Sequence, residues 1–590
     1  MNAQKEQNNG VFRNSSLIAG KTKRMALTYI ESTICMATVT AVDSLVAGIN
    51  IGSAALAAIA AAGPLLAIKQ ILHCILGFGI DKMMIQAVGR GKRKEADRIF
   101  GAVLLTVAAV YLLVYLALIL LERPLLELLM EDQTLIDLMI LYTRPLFAAA
   151  PIFEVLLCIE RAFRVDGRAR LFAARGIITN IANIVLDLLL VSVLGLSLSG
   201  LAWSSVISTA LGYIVTISHF FSPKRTVTPD FSVLFSGKEL LALIKEDMRL
   251  GSSATLDEVM DGLALAAQTS VIGIVGGSGG LAIWAVYKTL RGIVLSMGNG
   301  ISASVSTHAG LLNGQKDYDG VRYSVKKGVG IGMASSLMAF VLVYLFAGGL
   351  ADLYRIEPEL RTLCTQCLRV GSIAFPAMAF LTVLSAYLPA VNRVGLSNLL
   401  VLIQKGLTAA SAAIASITDL KMVFVLYGAA LWLAAAVLLV LLARDRFWFV
   451  PERNPELIMA YSIRLEPEPI SDMSTDAARQ LSACAYPAGF CFKAALVLEE
   501  SVNYIARQNP GEEILADIQL RRREDGVQIL IIDDGEAYNP LVSMAEIDWD
   551  KPDALEEVVV QRLSARVNYD RVLDLNHLSL DVNLPEQAAV

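Results

Sequence analysis

The sequence predicts an all-α polytopic membrane protein with twelve transmembrane helices in two six-helix lobes, followed by a C-terminal α/β sandwich domain. Three observations predict it. Hydrophobic residues make up 55% of the 590 and charged residues only 18%, more apolar surface than a globule can hide. Apolar runs of bilayer-spanning length recur as far as residue 443. Past residue 444 the pattern changes to the alternating stretches of a small soluble domain. The balance of 50 Lys+Arg against 55 Asp+Glu, net −5, gives no pull towards nucleic acid. Seven Cys scattered through apolar segments make neither a disulfide framework nor a zinc pattern. Cys364 and Cys367 form a C-x-x-C that reads as a pair of packing thiols.

Residues 1–24 form a polar, basic tail, and the apolar run from Met25 to Ile49 is too long for a signal-peptide core. It reads as the first spanning helix. Further runs lie near 53–81, 99–121, 134–160, 170–193, 199–221, 250–276, 280–306, 323–350, 360–388, 396–418 and 421–443. The N-lobe therefore takes residues 25–221, a basic connection 222–249, the C-lobe 250–443, a linker 444–456 and the final domain 457–590. Loop charges give an independent check through the positive-inside rule. Alternate loops are basic, as at Arg90, Lys92, Arg93 and Lys94, at Arg161, Arg164, Arg168 and Arg170, and at Lys316, Lys326 and Lys327. The loops between them are acidic, as at Glu127, Glu131 and Asp132. An even number of helices puts both termini in the cytoplasm of a multi-pass plasma-membrane protein.

The lobes echo one another. Gly89-Arg-Gly-Lys follows the second helix, and Asn313-Gly-Gln-Lys follows the eighth at the matching place. Asp166-Gly167-Arg168 before the fifth is echoed by Asn392-Arg393-Val394-Gly395 before the eleventh. Duplication of this kind builds transporters whose halves rock about a midplane site.

Charged and amide side chains at membrane depth are expensive, so each is a functional candidate. Glu31 and Asp43 lie in the first helix, and Asn180, Asn183 and Asp187 in the fifth. Positions 180, 183 and 187 stand at i, i+3 and i+7 and so share one helical face. Oxygens converging there suit Na⁺, and a buried carboxylate suits a proton. In the seventh helix, Asp257 and Asp261 are like charges at i,i+4, with Glu258 between them. They need a cation, a proton or a basic partner, for which Lys288, Arg291 and Lys405 are available, while Lys69 can pair with Glu31.

Val42-Asp43-Ser44-Leu45-Val46-Ala47-Gly48, Gly89-Arg-Gly-Lys with Glu95-Ala96, Arg164-Val-Asp-Gly167 and Asn183-x-x-x-Asp187 occur in the order found in the MATE family of multidrug and toxic-compound exporters. The resemblance spans roughly residues 25–443. It implies two six-helix bundles alternating between inward- and outward-open forms and exchanging a cation for small organic substrates. It also implies an N-lobe H⁺ or Na⁺ site at Asp43, Asn183 and Asp187, with a hydroxyl at Ser205. For the C-lobe it implies Na⁺ binding by a seventh-helix acid, Glu258 or Asp257. One charge moving down ~100 mV releases about 2.3 kcal/mol, a concentration ratio of roughly 40–50.

In the final domain, Ile514–Leu520 and Val527–Ile532 read as strands and Phe490–Arg507 as an amphipathic helix. Glu499-Glu-Ser-Val-Asn503 places a carboxylate and an amide on one helical face, and Asp533-Asp534-Gly535 follows an apolar strand. Together they resemble the N-box and first Gly box of the GHKL ATPases, in their anti-sigma-factor, serine-kinase-like branch. Arg562 to Arg571 and Asn576 to Leu580 fit that branch's closing helix and strand. The resemblance implies ATP with Mg²⁺: Asp533 accepting from the adenine amino group, Gly535 admitting the base, Asn503 on Mg²⁺ and Glu499 as general base. The chain departs from it where a second, phosphate-wrapping Gly box is due. Glu556 and Glu557 stand there, and no glycine follows Gly535.

The leading expectation is a cation-coupled antiporter with an ATPase-like regulatory domain, in contact with the bilayer and with a cytoplasmic regulatory protein. A lipid-linked saccharide flippase of the same architecture is the nearest transporter alternative. A membrane-anchored signalling protein with an anti-sigma or kinase-like tail is the alternative from another class.

Overall fold

The computed structural model describes residues 11–12, 17, 22–28, 30, 62, 71, 73–77, 79–129, 133–165, 169–221, 227–354, 356–445, 447–452, 454–538, 560, 562–573 and 575–585. The chain divides into two compact units. One is helical and holds residues 22–315 and 324–450; the other holds residues 1–21, 316–323 and 451–590.

The helical unit contains α1 (Ile80–Gly89), α2 (Arg93–Leu129), α3 (Gln133–Val165), α4 (Ala169–Asp187), α5 (Ser197–Phe220), α6 (Gly237–Gly314), α7 (Tyr318–Leu353), α8 (Arg361–Ser372), α9 (Phe375–Ala390), α10 (Val394–Ala415) and α11 (Leu420–Arg444). Nine helical stretches among the described residues are long and apolar enough to cross a membrane. Their leucines face outwards in number, with Leu112, Leu113, Leu116 and Leu120 of α2 all exposed, the reverse of a soluble bundle. The expected first two spans, 25–49 and 53–81, lie largely outside the described residues, and Asp43, Glu31 and Lys69 with them.

The expected seventh and eighth helices are the two arms of α6, which meet at a kink at Gly277 (φ 57°, ψ −152°), a backbone open to glycine. Two departures from the expected spans stand beside them. Residues 237–249, expected in the connection, are helical and lengthen α6. The expected fifth helix is α4 up to Asp187 and then a π-helical turn, Leu188–Val193, whose wider winding begins where the polar face ends.

Within the helical unit α2 packs on α3 and α4 on α5, while α6 packs on α9 and α10. The echoing loops meet in space. A Cβ on Gly89 would lie 2.3 Å from the Leu311 carbonyl oxygen, and one on Gly314 would lie 2.5 Å from that of Gln86. The backbones therefore cross in direct contact, as small residues allow. Gln86 also donates from Nε2 to the Ala390 carbonyl at 2.9 Å.

The second unit holds β1 (Val11–Phe12), β2 (Leu457–Arg464), α12 (Pro467–Ala483), α13 (Ala488–Gln508), β3 (Leu515–Arg523), β4 (Gly526–Asp533), β5 (Arg566–Val572) and β6 (Leu575–Asn583). Its sheet has the order β1-β2-β3-β4-β6-β5. All pairs are antiparallel except β1 with β2, where Val11 lies opposite Ala460. One face carries Ile518, Leu520, Ile529, Ile531 and Leu580, and α12 and α13 cover it with Met473, Leu481, Leu498 and Val502. The reverse face carries Leu530, Ile532 and Leu575, and Leu17 from the start of the chain is buried with them. The polar, basic tail thus supplies a strand and an apolar plug to this sheet. The two expected strands and the helix are present as β3, β4 and α13. Arg566–Val572, within the expected closing helix, is strand β5, in keeping with alternating Val567 and Tyr569.

Gly314→Val is expected to destabilise the helical unit by about 1–3 kcal/mol, because backbone rather than a movable side chain faces the new Cβ. The check is a lowered melting midpoint of the purified protein, and an unchanged midpoint would contradict the close crossing.

Candidate functional sites

In the first half of the helical unit, Asn180, Asn183 and Asp187 occupy one face of α4, as their spacing predicts, and all three are buried. Ser204 of α5, also fully buried, donates its hydroxyl to Asp187 Oδ1. Asn183 Nδ2 lies 3.5 Å from the same hydroxyl oxygen. The structure thus brings Asn183 and Asp187 together with Ser204, in place of the expected Ser205. One residue turns the side chain by about 100° on a helix, and Ser205 instead offers its carbonyl to Ser208 Oγ at 3.1 Å. Asn183 Oδ1 has no hydrogen-bond partner among the described residues. A carboxylate, a hydroxyl and an amide oxygen at one point can hold a proton or a small cation.

The same half of the helical unit holds ions that the hydropathy pattern hides. Glu160 of α3 pairs with Arg175 of α4 at 2.9 Å, both buried. The Arg175 guanidinium stands 5.2 Å from the centre of the Tyr213 ring. Glu154 accepts from His73 Nδ1 at 2.7 Å, and Arg161 Nη2 donates to His73 Nε2 at 2.8 Å. An arginine donating to one ring nitrogen leaves the other to carry the proton, so this His73 is the neutral Nδ1–H form. Arg161, expected in a basic loop, is buried inside α3. Glu122 accepts from Arg144 at 2.6 Å. The signal that could have found these residues was the presence of Glu154, Glu160 and Arg175 within or at the ends of apolar runs.

The second half encloses a cavity of about 150 Å³ between both arms of α6 and α9, α10 and α11. Asp257, Glu258, Asp261, Arg291, Lys405 and Tyr427 are among its walls. The like-charged pair has the basic partners it requires. Lys405 Nζ is 2.6 Å from Asp261 Oδ1 and 3.2 Å from Asp257 Oδ1. Arg291 Nη2 is 2.6 Å from Asp261 Oδ1, and its Nε donates to the Tyr427 hydroxyl at 3.0 Å. Lys405 and Arg291 are buried, whereas Lys288, the third available base, is exposed. Three acids against two bases leave one negative charge on this wall.

In the sheet unit, Asp533 closes β4 and is fully buried. Its oxygens accept from Asn576 Nδ2 at 2.7 Å, Gly535 N at 3.0 Å and the Tyr538 hydroxyl at 3.3 Å. Asn576 Oδ1 accepts in turn from Arg571 Nη1 at 2.7 Å and the Tyr569 hydroxyl at 2.9 Å. A Cβ on Gly535 would lie 2.7 Å from Asn509 Nδ2, so the room that the glycine leaves is taken by the chain's own asparagine. These residues do not fit an adenine: its amino group would have to displace Asn576 from Asp533. Glu499 and Asn503 lie on α13, both half-buried, and residues 539–559, which include Glu556 and Glu557, are outside the described part.

The comparisons with known proteins bear on the helical unit. A match to the MatE family covers residues 29–189 and 263–414, more than half of the chain. The chain belongs to the MatE family. Its resemblance to a Bacillus subtilis (strain 168) protein named probable multidrug resistance protein YoeA is 25% identity over 330 residues, 54% of this chain and 69% of that one. Among solved structures, a MOP-superfamily transporter from Pyrococcus furiosus aligns with TM-score 0.67 and 18% identity over 74% of this chain and 98% of the other. The Vibrio cholerae MATE transporter VcmN aligns with TM-score 0.66 and 19% identity over 74% of this chain and 99% of the other. The protein is thus a multi-pass membrane transporter with a MATE-like helical fold, joined to a C-terminal sheet unit.

The environment of Asp533 predicts an unusual pH response of the sheet unit. Burial outweighs the three hydrogen bonds and pushes Asp533 up to about 6, so its ionisation destabilises the fold as pH rises from about 4 to about 6. Burial lowers His577 to about 4, so protonation of the unfolded chain destabilises the fold as pH falls from 6.5 to about 4. Each effect is about 3 kcal/mol and they oppose one another, leaving stability nearly flat across pH 4–6. In His577→Gln the amide protection of β4 and β6, corrected for intrinsic exchange, is expected to rise as pH falls through this range. A flat profile in that variant would contradict the assignment.

Proposed function

We propose that this MatE-family protein is an H⁺- or Na⁺-coupled antiporter that exports small organic compounds across the plasma membrane by alternating access, with both termini cytoplasmic. The observation that carries the reading is Asp187, a carboxylate with 0% exposure inside an apolar bundle, met by the Ser204 hydroxyl. Such a group is stable through a cycle when a proton or cation binds and leaves it. Asp43 belongs to the same coupling site in this reading, which follows its motif in the first spanning helix. The cargo class follows the multidrug name of the Bacillus relative and the net negative wall of the second cavity, which favours organic cations.

In this reading the C-terminal unit is a regulatory and docking module for a cytoplasmic protein, not an ATPase. Its support is the internal occupation of Asp533 by Asn576 and the absence of any glycine after Gly535.

The test is flux of a fluorescent organic cation into proteoliposomes under an imposed pH or Na⁺ gradient. Asp187→Asn is expected to lower gradient-driven flux by about tenfold or more, a loss of at least about 1.4 kcal/mol of coupling. Rates equal to wild type would remove Asp187 from that role. Labelled ATP with Mg²⁺ is expected to show no saturable binding to the full chain, and binding lost on Asp533→Asn would restore the nucleotide reading.

A further inference from the structure

Lys405 holds its ammonium between two acids that repel one another, at 2.6 Å from Asp261 and 3.2 Å from Asp257. From this placement we infer that Lys405 is a tethered substitute for a mobile alkali cation, so that the C-terminal half of the transporter works without binding Na⁺ there. The inference deepens the antiporter reading and rests on it for the site's role in transport, confining alkali-ion dependence to places other than the Asp257–Asp261 pair.

Charge and space argue for it together. Lysine presents a compact point charge with three donors, close in kind to a monovalent ion, whereas arginine is a planar fork. Here the two bases divide the work accordingly. Arg291 is committed to Asp261 and to the Tyr427 hydroxyl, and among the described residues Lys405 alone reaches Asp257. Lys405 comes from α10, whereas both acids lie on α6, so the charge crosses from one helix to another as a bound ion would. Its side chain is 8% exposed against 29% for Asp261 and 45% for Asp257, so the ammonium is the least accessible member of the group.

Removing the ammonium changes the arithmetic of the wall. With Lys405 present, Asp257, Glu258 and Asp261 face two positive charges; without it they face one. Asp257 then has no basic neighbour among the described residues, and the excess of two negative charges on the wall favours uptake of a cation or a proton. The cavity of about 150 Å³ already beside the acids exceeds the ~10–15 Å³ that one water needs on the same measure. Truncating the lysine enlarges it, so a partly hydrated Na⁺ has room.

The test uses the full-length protein in detergent, carrying Asp187→Asn so that the proposed coupling site of the first half does not respond. Melting midpoints are measured in NaCl and in CsCl at equal ionic strength, at pH 7.5. With Lys405 intact the two salts are expected to give equal midpoints. Lys405→Met is expected to show a saturable upward shift specific to Na⁺, following the binding relation for a ligand of the folded state. The shift is expected to vanish when Asp257→Asn is added, and Lys405→Arg is expected to stay insensitive. A folded Lys405→Met protein with no Na⁺-specific shift overturns the inference. A Na⁺-specific shift in the protein with Lys405 intact, lost on Asp257→Asn, overturns it equally and needs no substitution at Lys405. Neither result depends on transport, so both are distinct from a failure of gradient-driven flux.

Discussion

An isolated charge in an apolar interior is several kcal/mol out of balance, and a bundle that keeps many acids must settle each of them against something. In this chain the settlement is local and made between helices. Glu122 joins α2 to Arg144 of α3, and Glu160 of α3 meets Arg175 of α4. Glu154 is held to Arg161 of its own helix through His73. The same condition orders the second half, where Asp257 and Asp261 of α6 are settled by Lys405 of α10 and Arg291 of the other α6 arm. Such pairs are weak sources of net stability, but removing one partner leaves a stranded charge, and this makes the arrangement specific.

At Asp187 the hydroxyl of Ser204 meets the carboxylate. Its position at the end of α4, immediately before the π-helical turn Leu188–Val193, gives the backbone a locally adjustable segment beside a titratable group. Movement and protonation can therefore be linked over a single helical turn.

Much of the fold was legible because hydropathy reports length and burial directly. The apolar runs reappear as α2 to α11, and the i, i+3, i+7 spacing placed Asn180, Asn183 and Asp187 on one face before any geometry was known. The repulsion between Asp257 and Asp261 required a cation, a proton or a basic partner, and two of the three available bases stand at the pair. What stayed hidden depends on rotation between helices or on pairs far apart in the chain. Which serine meets Asp187 is fixed by how α5 is turned against α4, and one residue decides it. Arg161 passed for a loop residue because its partners, His73 and Asp81, are what allow it inside. In the sheet unit the D-x-G motif was read from neighbouring residues, whereas its carboxylate is met by Asn576, from a strand 43 positions later.

The sheet unit takes its edge strand and the Leu17 plug from residues that precede every described spanning segment, and β2 from residues that follow those segments. Contacts of such sequence separation are slow to form because the intervening chain must be ordered first. During synthesis Val11, Phe12 and Leu17 must wait until the last helix has been made and inserted. Completion of this sheet therefore serves as a sign that the whole bundle has been threaded. A bulky tag placed at the first residues would disturb the far end of the polypeptide rather than a disposable extension.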